Sequence, residues 1–316
     1  MDDAGRVNTA APPVTVLLPL PASLAAYSNV AVAAVAHPTL PLLYVFQDIT
    51  GANLPPLENP AVNPVFNDLD RLLVYQVVTG AVQLVTAVRG DWFRYGLEAP
   101  AYPVTMAIDP NTHRLYLPGL REPTKPDPAG RAIGYLDLDA AGLPVVRDGK
   151  VAPAGLLEVG QGAPIQGHGW VMLSTNRVAC GAHGSIIFWD QSDRVGRCQF
   201  FAPLPYHPEV IAAHPNGQKL YAIYIQQQIS ATELAAGRPT LQPRYLNVGG
   251  VSVPVVMASR QRIAVGQAGH VALLHLDVEG QMTGEYNLIE VTGFAGTALC
   301  YSPRFDRLYV VVKEQP

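Results

Sequence analysis

Apolar and polar positions alternate along this chain in a repeating unit, not in long uniform runs. A short apolar strand ends at a turn built on proline or serine, and a second apolar strand follows. The unit reads Ala36-His-Pro-Thr-Leu-Pro-Leu-Leu-Tyr-Val45 and Ile108-Asp-Pro-Asn-Thr-His-Arg-Leu-Tyr-Leu117. It returns as Ala213-His-Pro-Asn-Gly-Gln-Lys-Leu-Tyr-Ala222 and Tyr301-Ser-Pro-Arg-Phe-Asp-Arg-Leu-Tyr-Val310. Shorter copies are Ser174-Thr-Asn-Arg-Val-Ala-Cys-Gly181 and Ser259-Arg-Gln-Arg-Ile-Ala-Val-Gly266. Self-similarity of this kind is the signature of a repeat architecture and outranks any single-residue signal.

Each strand pair is followed by a second pattern, an apolar run that ends in an acidic or polar residue and a glycine turn. It appears around 72–80, 133–142, 186–193, 229–237 and 271–280, as in Val271-Ala-Leu-Leu-His-Leu-Asp-Val-Glu-Gly280. Four antiparallel strands per unit, repeated, predict an all-β fold, a β-propeller. A lone four-stranded sheet cannot bury both faces, whereas sheets stacked around an axis bury them all. The inner strands begin near Val32, Val104, His168, Glu209, Val253 and Thr297. This count gives six blades in a single domain spanning 1–316, with seven the alternative because the first two units are long. The last unit is two strands long, and the free strand at 13–20 is expected to complete it and close the ring.

The pattern Pro-x-x-x-[Arg/Lys]-Leu-Tyr after an apolar strand resembles the YVTN-type and lactonase-type propellers, over most of the chain. Trp189-Asp190 is similar to the dipeptide of WD repeats. The lactonase-like resemblance implies hydrolysis of a sugar lactone in or near the central cavity. The signature it implies is a Gly-Pro-Arg-His stretch before the His-Pro-Asn-Gly turn, with Asn-Glu after the next strand. Here His207-Pro-Glu-Val210 and Ala222-Ile-Tyr-Ile225 stand in those places, so the scaffold pattern matches and the catalytic pattern does not.

Composition narrows the class of partner. The 316 residues are 49% hydrophobic and 15% charged, with net charge −4, which excludes a disordered chain and offers no basic field for nucleic acid. Gly 28 and Pro 29 suit many short strands joined by turns. The three cysteines, Cys180, Cys198 and Cys300, have no CxxC spacing. Cys180 and Cys300 read as inert core thiols, and a reducing compartment follows. The apolar stretch 13–36 is interrupted by Pro19, Pro21, Ser23, Tyr27, Ser28 and Asn29 and lacks a basic leader. It reads as strand–turn–strand, neither signal peptide nor membrane span, and the expected location is the cytoplasm.

Strand order sends the connections to two ends. The turns at one end are tight, whereas the loops at the other are long, at 49–70, 91–103, 118–131 and 153–167. Long loops on a rigid scaffold are where binding sites are built. Counting back six residues from each first-turn Pro or Ser places His168 and Glu209 at one depth on adjacent blades, at the mouth of the channel. A histidine titrates near neutrality and a carboxylate fixes its tautomer, so this pair suits general acid–base chemistry, with His207 beside it. His183 and His270 each stand seven residues before an aspartate, in loops facing the same rim. Asp91-Trp-Phe-Arg-Tyr95 departs from the repeat and sets charges among aromatics, which suits stacking or cation–π contact. Asp91, Trp92, Arg94 and Tyr95, with Tyr102 and Trp170, complete the ligand-binding candidates.

Other features are read as structural. His37 and His214 precede turn prolines and cap the turns; His275 is packed or faces an edge. Tyr44, Tyr116, Tyr221 and Tyr309 recur at one repeat position and read as a packing layer. No HxH or HxxxH spacing, phosphate loop, GxSxG elbow or HExxH occurs, so neither metal nor cofactor is assigned. The reading is a propeller that binds a small polar or aromatic molecule at its loop-rich mouth. Whether it also transforms that molecule, through a His/Glu pair, is left open. The alternatives are a protein-interaction platform on the same rim, without catalysis, and a lactonase-like hydrolase. Partners are a small ligand or a protein on the long-loop face, with no nucleic acid and no membrane.

Overall fold

The computed structural model describes residues 14–19, 29–49, 71–78, 81–89, 106–117, 132–147, 150–151, 155–159, 170–174, 177–182, 185–190, 195–196, 208–216, 218–224, 228–235, 238–239, 244–247 and 254–312. The protein is all-β. Among the described residues, six sheets have three or more strands. The first comprises Asn29–Ala36, Leu42–Ile49, Arg71–Val78 and Ala81–Arg89, in that spatial order. The second starts with Ala107–Asp109, Arg114–Leu117 and Ala132–Asp137 and adds Gly155–Val159. The third holds Trp170–Ser174, Arg177–Ala182 and Ser185–Asp190. The fourth holds Pro208–Ala213, Lys219–Tyr224, Gln228–Ala235 and Arg244–Asn247. The fifth holds Val255–Met257, Arg262–Gln267, His270–Leu276 and Met282–Glu290. The sixth pairs Phe294–Ser302 with Arg307–Val312 and takes the N-terminal strand Val14–Pro19 on its far side. No helix among the described residues is long and apolar enough to cross a membrane.

The middle strands are apolar at nearly every position because both faces of each sheet are covered. In Leu42–Ile49, Leu42, Tyr44 and Phe46 pack with Met106, Leu115 and Leu136 of the second sheet. Leu43 and Val45 pack with Cys300, Tyr309 and Val311 of the sixth. The fifth sheet repeats this division: Ile263 and Val265 meet Tyr221 and Ile229 of the fourth, while Ala264 meets Leu308 and Val310 of the sixth. Successive side chains point to opposite faces, so a strand buried on both sides loses its polar alternation. Each fully buried aliphatic or aromatic side chain contributes roughly 1.5–3 kcal/mol. The leading strands also touch in chain order. Ala107–Asp109 meets Trp170–Ser174, which meets Pro208–Ala213; that strand meets Val255–Met257, which meets Phe294–Ser302. Phe294–Ser302 in turn lies against Asn29–Ala36.

The recurring tyrosine has a second task besides packing. Tyr44, Tyr116, Tyr221 and Tyr309 are all at 0% exposure, as a packing layer requires. Tyr44 donates its hydroxyl to the carbonyl of Gly142 in the second sheet at 2.5 Å, and Tyr221 to that of Gly280 in the fifth at 2.6 Å. Those glycines end Asp-x-x-Gly turns. Asp139 Oδ1 accepts from the amides of Ala141 and Leu143 at 2.9 and 2.8 Å. Asp277 Oδ1 accepts from Glu279 and Gln281 at 2.9 and 2.7 Å. Gly142 and Gly280 have φ of +82° and +76°. A Cβ on Gly142 would lie 2.9 Å from the Tyr44 hydroxyl and 2.7 Å from Leu42 Cδ1; on Gly280 it would lie 3.0 Å from the Tyr221 hydroxyl. Both the left-handed backbone and the approaching ring therefore require glycine. Burial and the nearby aspartate raise both phenols, which keeps them neutral donors.

The basic residue of the [Arg/Lys]-Leu-Tyr motif is spent across the sheet. Arg114 faces Asp137 at 3.7 Å, and Lys219 faces Glu233 at 3.3 Å, each on the neighbouring strand. Lys219 also donates to the carbonyl of Glu279 in the next sheet.

Val14–Pro19 runs parallel to Arg307–Val312, with Val14 opposite Arg307 and Pro19 opposite Val312; the short strand Val195–Gly196 also pairs parallel, with Gly155–Val159 at the edge of the second sheet, and the other described pairs are antiparallel. The direction has a geometric reason. A six-residue strand is about 20 Å long. Running parallel, it finishes at the end where Asn29–Ala36 of the first sheet begins; running antiparallel, it would finish at the other end.

The seam of Tyr309 differs from these two, since its buried hydroxyl has no hydrogen-bond partner. Tyr221→Phe is expected to lower the free energy of unfolding by about 1–2 kcal/mol, since it strands a buried carbonyl. Tyr309→Phe is expected to change it by less than about 0.5 kcal/mol. Urea midpoints measure both, and equal losses would show that the hydroxyl bond is not what holds the seam.

Candidate functional site

The strands deliver their connections to two ends of the stack that differ in chemistry. At one end lie the turns between first and second strands and between third and fourth strands. The residue before three of the turn prolines is a cap. His37 Nδ1 accepts from the amides of Thr39 and Leu40 at 3.2 and 3.0 Å. Asp109 accepts from the Asn111 amide at 2.9 Å and the Thr112 hydroxyl at 2.6 Å. His214 Nδ1 accepts from the Asn216 amide at 3.3 Å. The expected roles of His37 and His214 as turn caps are those observed.

This turn end is also fastened from sheet to sheet by charged groups. Arg304 of the sixth sheet donates to the Thr39 carbonyl of the first at 2.5 Å. Arg260 of the fifth donates its Nε to Asp306 Oδ1 of the sixth at 3.0 Å and pairs with Oδ2 through a second nitrogen. Tyr301 donates to the same carboxylate, and Ser259 Oγ lies 2.6 Å from the Tyr301 hydroxyl. Burial alone would raise the Asp306 carboxyl, but the bonds from Arg260, Tyr301 and Ser259 and the Arg260 charge hold it below the usual carboxylate value. Burial, then the bond to Asp306, pushes Tyr301 up to about 12. The cluster is structural: its carboxylate is saturated with donors and locked to a guanidinium.

The opposite end receives the chain where each leading strand begins, and three ladders lose their regularity there; other shifts fall at Val74–Tyr75, Met172–Ser174 and Leu274–Leu276. In the first sheet Ala31 pairs with Gln47 and Ala33 with Phe46, leaving Val32 outside the ladder. In the fourth, Pro208 pairs with Tyr224 and Val210 with Ile223, leaving out Glu209. In the sixth the register slips between Phe294 and Leu299, a stretch that contains Thr297. Val32, Glu209 and Thr297 are three of the six positions that counting back from the first turn marks as the channel mouth. A bulge frees backbone groups and re-aims a side chain, and bulges are over-represented beside active sites. Glu209 is the second residue of its strand and Trp170 the first of its own; those strands are neighbours in the fold.

His270 is the predicted ligand residue whose side chain is described. It closes the hairpin between the second and third strands of the fifth sheet, opposite Gln267 and Glu290. The Gly269 amide donates to Phe294 O at 2.9 Å and the Val291 amide donates to Gly269 O at 2.8 Å, tying this hairpin to the crossing into the sixth sheet. His270 is half-buried, and its Nδ1–H donates to Ala268 O at 3.2 Å. That bond fixes the proton on Nδ1 and leaves Nε2 to accept from a ligand. His168, His207, His183, Asp91, Trp92, Arg94, Tyr95 and Tyr102 lie outside the described residues, as do the side chains of Glu209 and Trp170.

One residue at this end was not singled out from the sequence. Gln47 is at 0% exposure, and neither its Nε2 nor its Oε1 has a hydrogen-bond partner. Its signal was a polar residue closing the apolar run Leu42-Leu-Tyr-Val-Phe46. Elsewhere, Cys300 is buried and burial pushes its thiol up to about 12, the inert core thiol expected. His275 Nε2 lies 2.6 Å from Asn287 Oδ1, on the edge strand of its sheet. No group of three or more His, Cys, Asp or Glu placed to hold a metal occurs among the described residues.

No protein-family model matches this chain, and no curated protein does. Among solved structures it is similar to that of a Pseudomonas aeruginosa periplasmic gluconolactonase, PpgL, with a TM-score of 0.50 and 11% sequence identity. The likeness covers 87% of this chain and 76% of that one. At that identity it bears on fold alone, and it supports a propeller-like, lactonase-like scaffold.

The turn end yields a test of its electrostatics. Asp306 has φ of +51°, a conformation asparagine tolerates, so Asp306→Asn isolates the charge. A carboxyl held low in the folded state stabilises above its unfolded pKa of about 3.9 and loses that contribution as pH falls through the folded value. The variant is expected to be less stable than wild type at pH 7, with the difference vanishing on acidification. Thermal melts across that range measure it, and a difference constant down to strong acid would refute the assignment.

Proposed function

We propose that the chain is a single-domain propeller, six blades of four strands closed by the N-terminal strand, that binds a small polar or aromatic molecule at its loop-bearing mouth. The contact of Phe294–Ser302 with Asn29–Ala36, the last leading strand against the first, supports closure. The observation that carries the site is the coincidence of ladder breaks with mouth positions, at Val32, Glu209 and the stretch holding Thr297. In this reading His168 is the general base and Glu209 orients its imidazole, with His207 beside them. Asp91, Trp92, Arg94, Tyr95, Tyr102, Trp170 and His183 line the mouth, and His270 offers its Nε2 as an acceptor.

The second reading is lactone hydrolysis, favoured by the PpgL-like scaffold. His168 would take a proton from water as it attacks the ring carbonyl and return it to the ring oxygen as the carbonyl carbon–ring oxygen bond breaks, giving the open hydroxy acid, while Glu209 would stabilise the intervening imidazolium. Positioned acid–base groups of this kind contribute about 10²–10⁴-fold.

Thermal-shift screening of a small-molecule library, together with hydrolysis of D-glucono-δ-lactone, tests both readings on wild type, His168→Ala and Glu209→Ala. A ligand that raises the wild-type melting temperature is expected to lose at least tenfold in affinity in both variants. Any lactone turnover is expected to fall by about 100-fold or more. Variants that bind and turn over like wild type would remove these residues from the site.

A further inference from the structure

We propose that the turn 37–42 is an acid-released fastener of the stack: His37 holds it shut while its ring is neutral, and a proton on that ring lets the turn and its contacts with both neighbouring sheets come loose. The His37 side chain is buried, at 2% exposure. Its Nδ1 accepts from the amides of Thr39 and Leu40 at 3.2 and 3.0 Å, so the one proton of the neutral ring sits on Nε2. That Nε2 is buried without a partner. A second proton can only go to Nδ1, where it would face two N–H donors instead of accepting from them. The imidazolium therefore has no place in the closed turn, and the turn opens to bring it to water.

The turn is a junction of three sheets. It is closed by the His37 amide donating to Leu42 O at 2.8 Å, and Pro41 O accepts from the Val77 amide at 2.9 Å within its own sheet. Towards the sixth sheet, Thr39 O accepts from Arg304. Towards the second, Leu40 packs against the cluster of Met106, Leu115 and Leu136 and lies against Gly142, whose carbonyl Tyr44 holds. Releasing the amides of Thr39 and Leu40 thus slackens the two residues that touch the neighbours on either side.

The groups that face the ring supply no counter-charge. From the second sheet come His113, a like charge when protonated, and Asp139, which lies by the Tyr44 hydroxyl. From the sixth comes Arg304, a cation. On its own sheet Tyr44, with ring centres 6.4 Å apart, is a neutral phenol. Burial first, and His113 second, hold His37 below the ordinary imidazole value, and no carboxylate offsets them. A histidine less basic folded than unfolded stabilises in full above its unfolded pKa of about 6.5 and loses that contribution as pH falls toward the folded value. The same repeat position shows an alternative without this sensitivity. Asp109, at 0% exposure, caps the matching turn of the second sheet by accepting from the Asn111 amide at 2.9 Å. A carboxylate remains an acceptor at about pH 5, where an imidazole gains a proton. The fastener lies at the turn end and uses none of the mouth residues.

The test is amide hydrogen exchange of the full chain by ¹⁵N–¹H NMR at about pH 7.5 and about pH 5, corrected for intrinsic rates. In wild type, protection at Thr39 and Leu40 is expected to fall by about fivefold or more, with Asn111 unchanged. His37→Asn, whose side-chain oxygen accepts an amide at either pH, is expected to keep its protection and to lose less melting temperature over the same interval. His37→Asp serves should the first variant fold poorly. Long-range ring ¹⁵N correlations are expected to show the Nε2–H tautomer of His37 at the higher pH. Protection at Thr39 and Leu40 that does not change with pH, an equal loss in His37→Asn, melting temperatures that respond to pH alike, or a proton on Nδ1 at the higher pH would overturn the proposal.

Discussion

The hydroxyl of a buried tyrosine reaching the turn of the next sheet is the contact on which the stack depends. Apolar packing alone holds sheets together without deciding how far one slides or rotates over its neighbour, because it is non-directional. A hydrogen bond from Tyr44 to Gly142 O, or from Tyr221 to Gly280 O, fixes that offset. The constraint propagates. The ring needs room, so the acceptor residue is a glycine at positive φ; the glycine turn needs bracing, so an aspartate caps it. A tyrosine and a distant Asp-x-x-Gly turn thus answer one geometric demand.

The Tyr309 seam is different: among the described residues, no hydroxyl bond of this kind crosses it. The phenol of Tyr309 is buried without a partner, as is that of Tyr75 in the same cluster. Gln47 belongs to this seam as well. The described hydroxyls of the seam between the first and sixth sheets thus lack partners, while the seams from first to second and from fourth to fifth are stitched.

The two ends of the stack divide the work. Turn caps, the Arg260–Asp306 pair and the Arg304 contact give one end a rigid frame. The other end carries the ladder breaks at Val32, Glu209 and between Phe294 and Leu299. An unladdered residue survives only where its surroundings over-determine it.

What this chain's residues settle by themselves is whatever depends on neighbours in sequence. Strand pairs, turn prolines with their His caps, the tyrosine layer and the inert Cys300 were all legible, since each follows from local pattern and burial. The near-continuous apolar strands already implied sheets covered on both faces. Contacts between residues a hundred positions apart belong to the tertiary structure alone. Tyr44 finding Gly142, Arg304 finding Thr39, the parallel course of Val14–Pro19, and the burial of the Gln47 amide without a partner all depend on how whole sheets come to rest against one another. Local propensity carries no information about that offset, because it is chosen by packing and long-range hydrogen bonds acting together.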